Sequence, residues 1–85
     1  MSLPIKEIRK LTDTNAHGEA YALAARALDL SEIAEKLDAI NIQHQKIGFL
    51  TWNLSNQRGL LFNEMLAAAK AKLSAEDYEA LYKSF

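Results

Sequence analysis

Apolar residues recur along this chain at spacings of three and four, the period of a helix with one buried face. Ile5, Ile8 and Leu11 predict a first helix over about 4–11. Pro4 suits its first turn, because the N–H that proline lacks would find no partner there. Tyr21, Ala24, Ala25 and Leu28 predict a second helix over about 16–28, with Thr14 or Asn15 as its cap and Gly18 weakening its first turn. Asp29 to Glu32 reads as a stop and then a start, with Asp29 or Ser31 capping the next helix. From Leu30 a 3-4 repeat runs through Ile33, Leu37, Ile40, His44, Ile47, Thr51, Leu54, Arg58, Leu61, Met65 and Ala68. No proline interrupts it, so the pattern predicts one long central helix over about 31–72. Its most turn-like stretch is Ser55–Gly59, and a turn there would instead allow a monomeric bundle of four or five short helices. Ser74, with Asp77 three residues on, caps a last helix over about 75–84. Tyr78, Leu81, Tyr82 and Phe85 form that helix's docking stripe.

These elements give an all-α expectation, a small helical bundle within a single domain over 1–85. A continuous helix over 31–72 would be about 60 Å long, against about 30 Å for a compact domain of this size. The overhang would carry Ile47, Phe49, Leu50, Trp52, Leu54, Leu60 and Leu61, and leaving that surface wet is unfavourable by roughly 25 cal/mol per Å². A second copy is therefore expected to cover it, giving a homodimeric bundle of four-helix type or larger with a coiled-coil-like seam. The residues expected at that interface are Ile40, His44, Ile47, Thr51, Leu54, Arg58 and Leu61.

Composition strengthens the helical reading. Ala occurs 14 times, Leu 13 times and Val never, so good helix formers dominate and the β-branched set is thin. Cys is absent, which removes disulfides, thiolate metal sites and Cys nucleophiles. Ten Lys and Arg against eleven Asp and Glu leave a net charge of −1, with no basic excess to attract nucleic acid or an anionic membrane. The local distribution is more informative. Residues 39–63 hold no acid, two bases (Lys46 and Arg58) and seven amides. On a helical projection this segment is apolar on two opposed sides, Ile40, Ile47 and Leu54 against Ile42, Phe49 and Trp52. That distribution suits a helix enclosed by others.

The candidate chemistry is sparse. His44 sits on the seam and reads as a hydrogen-bonded interface residue rather than a metal ligand or base, since no acid or second His lies at ligand spacing. His17 near a helix start, and the acids Glu32, Glu35 and Asp38, read as solvated. Trp52 with Phe49 reads as packing surface, and Arg58 as a group that pairs across the interface or reaches outward along its stem. No phosphate loop, nucleophile elbow or Cys/His cluster is present, so neither catalytic residues nor a cofactor or metal is expected. The run Leu30–Ile47, LSEIAEKLDAINIQHQKI, resembles the opening of a helix-turn-helix through Ile33, Ala34 and Leu37. It departs at Asp38, where a turn Gly is usual, and at His44, where an aliphatic residue is normally buried. That resemblance implies, as the alternative, a DNA-binding transcriptional regulator using helices near 31–54. The leading expectation is a non-enzymatic protein–protein interaction module, an adaptor, chaperone or regulator, acting as a homodimer. The start of the chain has no apolar core of a secretory signal, and the longest apolar runs fall short of a membrane span, so the expected location is cytoplasmic.

Overall fold

Five helices make up the structure, a computed structural model that describes residues 3–47 and 52–85, without the side chain of Ile47. They are α1 (Ile5–Asp13), α2 (His17–Ala27), α3 (Ser31–Ile47), α4 (Trp52–Lys72) and α5 (Ala75–Lys83). Among the described residues there is no strand.

The element expected over 31–72 is two helices lying side by side. A continuous helix would set Lys36 and Glu64 about 42 Å apart, yet both line one hollow between α3 and α4. The longest dimension of the molecule is 38 Å, and its radius of gyration of 12.4 Å is that of a compact domain. The seam residues have the right period, but they become the facing stripes of an intramolecular pair. Leu37 and Ile40 on α3, and Leu54, Leu61 and Met65 on α4, all enter the core. The expected weak point at Ser55–Gly59 is helical, inside α4, whereas α3 ends at Ile47 and α4 begins at Trp52. One glycine costs a helix about 1 kcal/mol, and burying the stripe on both sides of it outweighs that cost. Gly48, Phe49, Leu50 and Thr51 lie outside the described residues.

Helix α2 is the hub. Ala20, Ala22, Ala24 and Ala25 are all fully buried, and such small side chains let the neighbouring helices approach closely. It packs against α1, α3 and α4. Ile8, Leu28, Leu37, Met65 and Leu81 are the largest fully buried side chains and bring all five helices into one core, with Leu28 at the C-cap of α2. Tyr21 of α2 stacks on Phe62 of α4 at 4.3 Å between ring centres. Phe85 meets both edge-on at 5.3 and 5.2 Å, so the docking stripe expected on the last helix closes the core from below. Of that stripe Leu81 is fully buried, while Tyr82 stays exposed.

Polar contacts tie the helix ends. Lys72 Nζ donates to the Leu28 carbonyl at 2.7 Å, placing a cation at the C-terminus of α2. Arg9 donates to the Lys83 carbonyl at 3.2 Å, doing the same for α5. Arg26 of α2 and Asp38 of α3 form an exposed ion pair at 2.8 Å. Ser74 caps α5 as expected, its hydroxyl accepting from the Asp77 N–H at 3.2 Å.

Two expected caps serve the preceding helix instead. Asn15 and Asp29 both have left-handed φ, 63° and 59°. The Asn15 N–H reaches the Thr12 carbonyl and the Ala16 N–H the Leu11 carbonyl. Asp29 to Arg26 and Leu30 to Ala25 repeat the pattern. Each pair of bonds closes a helix end in the Schellman arrangement, which needs a left-handed residue at this position; Asn and Asp tolerate that conformation better than other side chains. Helix α2 then begins at His17, with Ala16 at its N-cap and no side-chain cap.

Candidate interaction surface

Helices α3 and α4 form a hairpin with two different sides. Its stripes are set by sequence: Leu37 and Ile40, three apart, turn α3 towards α2 and α4, while Leu54, Leu61 and Met65, seven and four apart, turn α4 inward. The remaining positions between 39 and 63 are those the sequence leaves almost free of charge.

On one side a shallow groove of about 350 Å³ runs between the helices. Its floor is Ile40, Leu54 and Leu61, which are 5, 7 and 8% exposed, and Ala39 and Leu60 form its apolar shoulders. Gln43 and Gln57 lie at the end nearest the hairpin tip, Lys36 and Glu64 at the other. Leu60 is 64% exposed, an aliphatic side chain left to solvent beside an apolar floor.

On the other side lies a polar cleft of about 280 Å³, where α3 and α4 meet the start of α2. His17, Glu19, Asn41, His44, Gln45 and Arg58 line it. Gly18 permits this junction, because a Cβ there would collide with Asn41 Oδ1. The Arg58 guanidinium sits 6.0 Å from the centre of the Tyr21 ring, at the outer limit of a cation–π contact. Among the described residues no group of three His, Cys, Asp or Glu is placed to hold a metal ion.

The seven residues expected at an interface thus divide. Ile40, Leu54 and Leu61 floor the groove, covered largely by the chain itself. His44 and Arg58 lie on the opposite side in the polar cleft. Thr51 and the side chain of Ile47 lie outside the described residues. Folding back shortens the projection that called for a second chain and takes Leu54 and Leu61 into the core, while Trp52 and Leu60 of the same set stay exposed. A smaller apolar set stays outside: Ile42, Trp52 and Leu60, at 54, 76 and 64% exposure. Leu60, Lys36 and Glu64 fall outside the expected interface, since the 3-4 repeat selects Leu61, and the two charges resemble any solvated pair until the helices are placed side by side.

The resemblance to a helix-turn-helix ends at Asp38, where no turn occurs. Helix α3 runs unbroken from Ser31 to Ile47, so Leu30–Ile47 supplies one helix and not two.

The exposed surface of the hairpin between 39 and 63 differs from the rest. Between 39 and 63, thirteen described residues are exposed and one of them, Lys46, is charged. Elsewhere 27 are exposed and 18 are charged. Depletion of charge with retention of amides and large apolar groups is the composition of an interface centre, and an ordinary solvated surface is richer in charge. No helix of the described residues is long and apolar enough to cross a membrane. Compared with protein-family models, curated proteins and solved structures, the chain matches none of them.

Proposed function

We propose that this chain is a non-enzymatic protein–protein interaction module that works as a homo-oligomer, with the α3–α4 hairpin as the contacting element. One observation carries the reading: between 39 and 63 the hairpin shows a single charge, Lys46, among thirteen exposed described residues, yet presents Trp52, Leu60 and Ile42. An aromatic and two aliphatic side chains in an amide-rich, uncharged setting gain from burial without forcing charges out of water.

The α3–α4 hairpin suits nucleic acid poorly, since between 39 and 63 its one exposed charge is Lys46. Phosphate contacts require Lys and Arg, whereas the exposed first half of α3 carries Glu32 and Glu35 beside Lys36. The test is the mass of the full chain in solution, by size-exclusion chromatography with light scattering across a concentration series. The expected outcome is a reversible rise from the 9.5 kDa chain mass towards twice that value. A constant monomer mass at every concentration would overturn the proposal.

A further inference from the structure

The groove between α3 and α4 carries a pattern that is complementary to itself. Helix α3 rises by about 10 Å from Lys36 to Gln43, and α4 descends by about 15 Å from Leu54 to Glu64. The common hollow fixes the levels: Lys36 and Glu64 lie at one end, Ile40 and Leu61 in the middle, Gln43 and Gln57 near the tip. One wall therefore reads cation, apolar, amide, and the other reads anion, apolar, amide.

From this geometry we infer that the occupant of the groove is a second copy of this chain, docked face to face about a two-fold axis running along the groove. Such an axis exchanges the walls, so α3 of each copy lies over α4 of the other at the same level. Lys36 then meets the other copy's Glu64, twice per dimer. Gln43 meets Gln57, amide to amide, and the Leu60 side chains cover the apolar floors. A two-fold axis across the groove instead sets Lys36 and Glu64 against amides, and makes no ion pair. Within the chain neither Lys36 nor Glu64 belongs to the ion pairs found among the described residues, which are Arg26–Asp38 and Lys83–Glu79. Both side chains are exposed. The product is a four-helix layer, α3 and α4 from each copy, with the other helices outside it. This arrangement rests on the self-association proposed above and specifies its axis.

The test uses charge exchange in the full chain. Lys36→Glu places an acid against the other copy's Glu64 at both contacts, and Glu64→Lys does the same with two bases. Each single variant is expected to keep the helical signal of the wild type and, at concentrations where both are monomeric, its melting point, and to self-associate about tenfold more weakly at low salt. An equimolar mixture of the two is expected to recover wild-type association as a heterodimer, and the double variant K36E/E64K to recover it alone. Raising the salt should shrink the difference, because the contacts lie at the rim. Recovery on mixing separates a contact between copies from any effect within one chain. Single variants that dimerise like the wild type, or a mixture as weak as its components, would overturn this axis while leaving self-association intact. A wild-type chain that stays monomeric would overturn both.

Discussion

The end of the molecule where the helix termini gather and the α3–α4 hairpin solve the same problem differently. At the first, Ile8, Leu28, Met65 and Leu81 are fully buried, and a lysine or arginine reaches a carbonyl at each of two helix ends. Its outer surface is largely charged. At the hairpin the deepest groove residues keep 5 to 8% exposure, and Ile42, Trp52 and Leu60 beyond them stay more than half exposed. Both regions draw on a similar supply of Leu, Ile and aromatic residues. The difference lies in geometry: two antiparallel helices bury one stripe each, and a helix that is apolar on two sides has a second stripe left over. Five helices converge on the first region and none remains to cover the second.

The largest expected effect separates the two regions by stability. Met65→Ala removes a fully buried side chain from the closed core and should cost about 2–5 kcal/mol of unfolding free energy. Leu54→Ala, at the groove floor, should cost clearly less, because its cavity opens to solvent. Chemical denaturation of both variants checks this. Equal losses would mean that the hairpin is as closed as the rest.

Association should show the reverse order. Leu60→Lys replaces an aliphatic group 64% exposed on the monomer, so its folding free energy should move by no more than about 0.5 kcal/mol. Self-association should weaken about tenfold or more, since a desolvated lysine is costly in an apolar contact. Sedimentation or light scattering reads the second quantity and a thermal melt the first. A variant that associates like the wild type would return Leu60 to the status of an incidental exposed leucine.

The sequence makes the closed region legible and the open one only in part. The Ile5, Ile8, Leu11 spacing, the Tyr21 to Leu28 stripe and the Ser74 cap each predict a helix that is present within one or two residues. Those signals are local, and local periodicity survives any tertiary arrangement. The 3-4 repeat from Leu30 to Ala68 is equally real, but it cannot distinguish a rod from a rod folded in half, because both present the same stripe. Polar positions at His44, Thr51 and Arg58 read as interface layers, whereas His44 and Arg58 border a cleft against the start of α2. That cleft brings Gly18 and Asn41 together, 23 residues apart in sequence, and no local pattern announces such a contact. Lys36 and Glu64 are the same kind of case.

A smaller effect tests whether the long fourth helix is limited by its own backbone. Gly59 sits in the interior of α4, and a Cβ added there meets nothing within 4 Å. Gly59→Ala should therefore raise stability by about 1 kcal/mol through helix propensity alone. By the 100° rule its side chain points away from the groove walls at Leu61 and Glu64, so self-association should be unchanged. A thermal melt with a parallel light-scattering run checks both. A change in association would place the contact on the wrong side of α4.

The smallest expected effect concerns the turns that bring α2 against its neighbours. Asp29 holds a left-handed φ of 59° to close α2 and restart the chain as α3. A side chain there opposes that conformation, and glycine does not. Asp29→Gly relieves the native-state strain but also frees the unfolded chain, which offsets part of the gain. The net expectation is a rise of about 0.5 kcal/mol. Asp29→Ala lacks the tolerance of an aspartate for the left-handed region and should fall by a similar amount. The order Gly above Asp above Ala, measured by urea denaturation, is the diagnostic result. If alanine matched aspartate, backbone conformation would not be what this position supplies. A stabilised turn should leave the hairpin's association untouched, because the groove between α3 and α4 contains no residue of the turn.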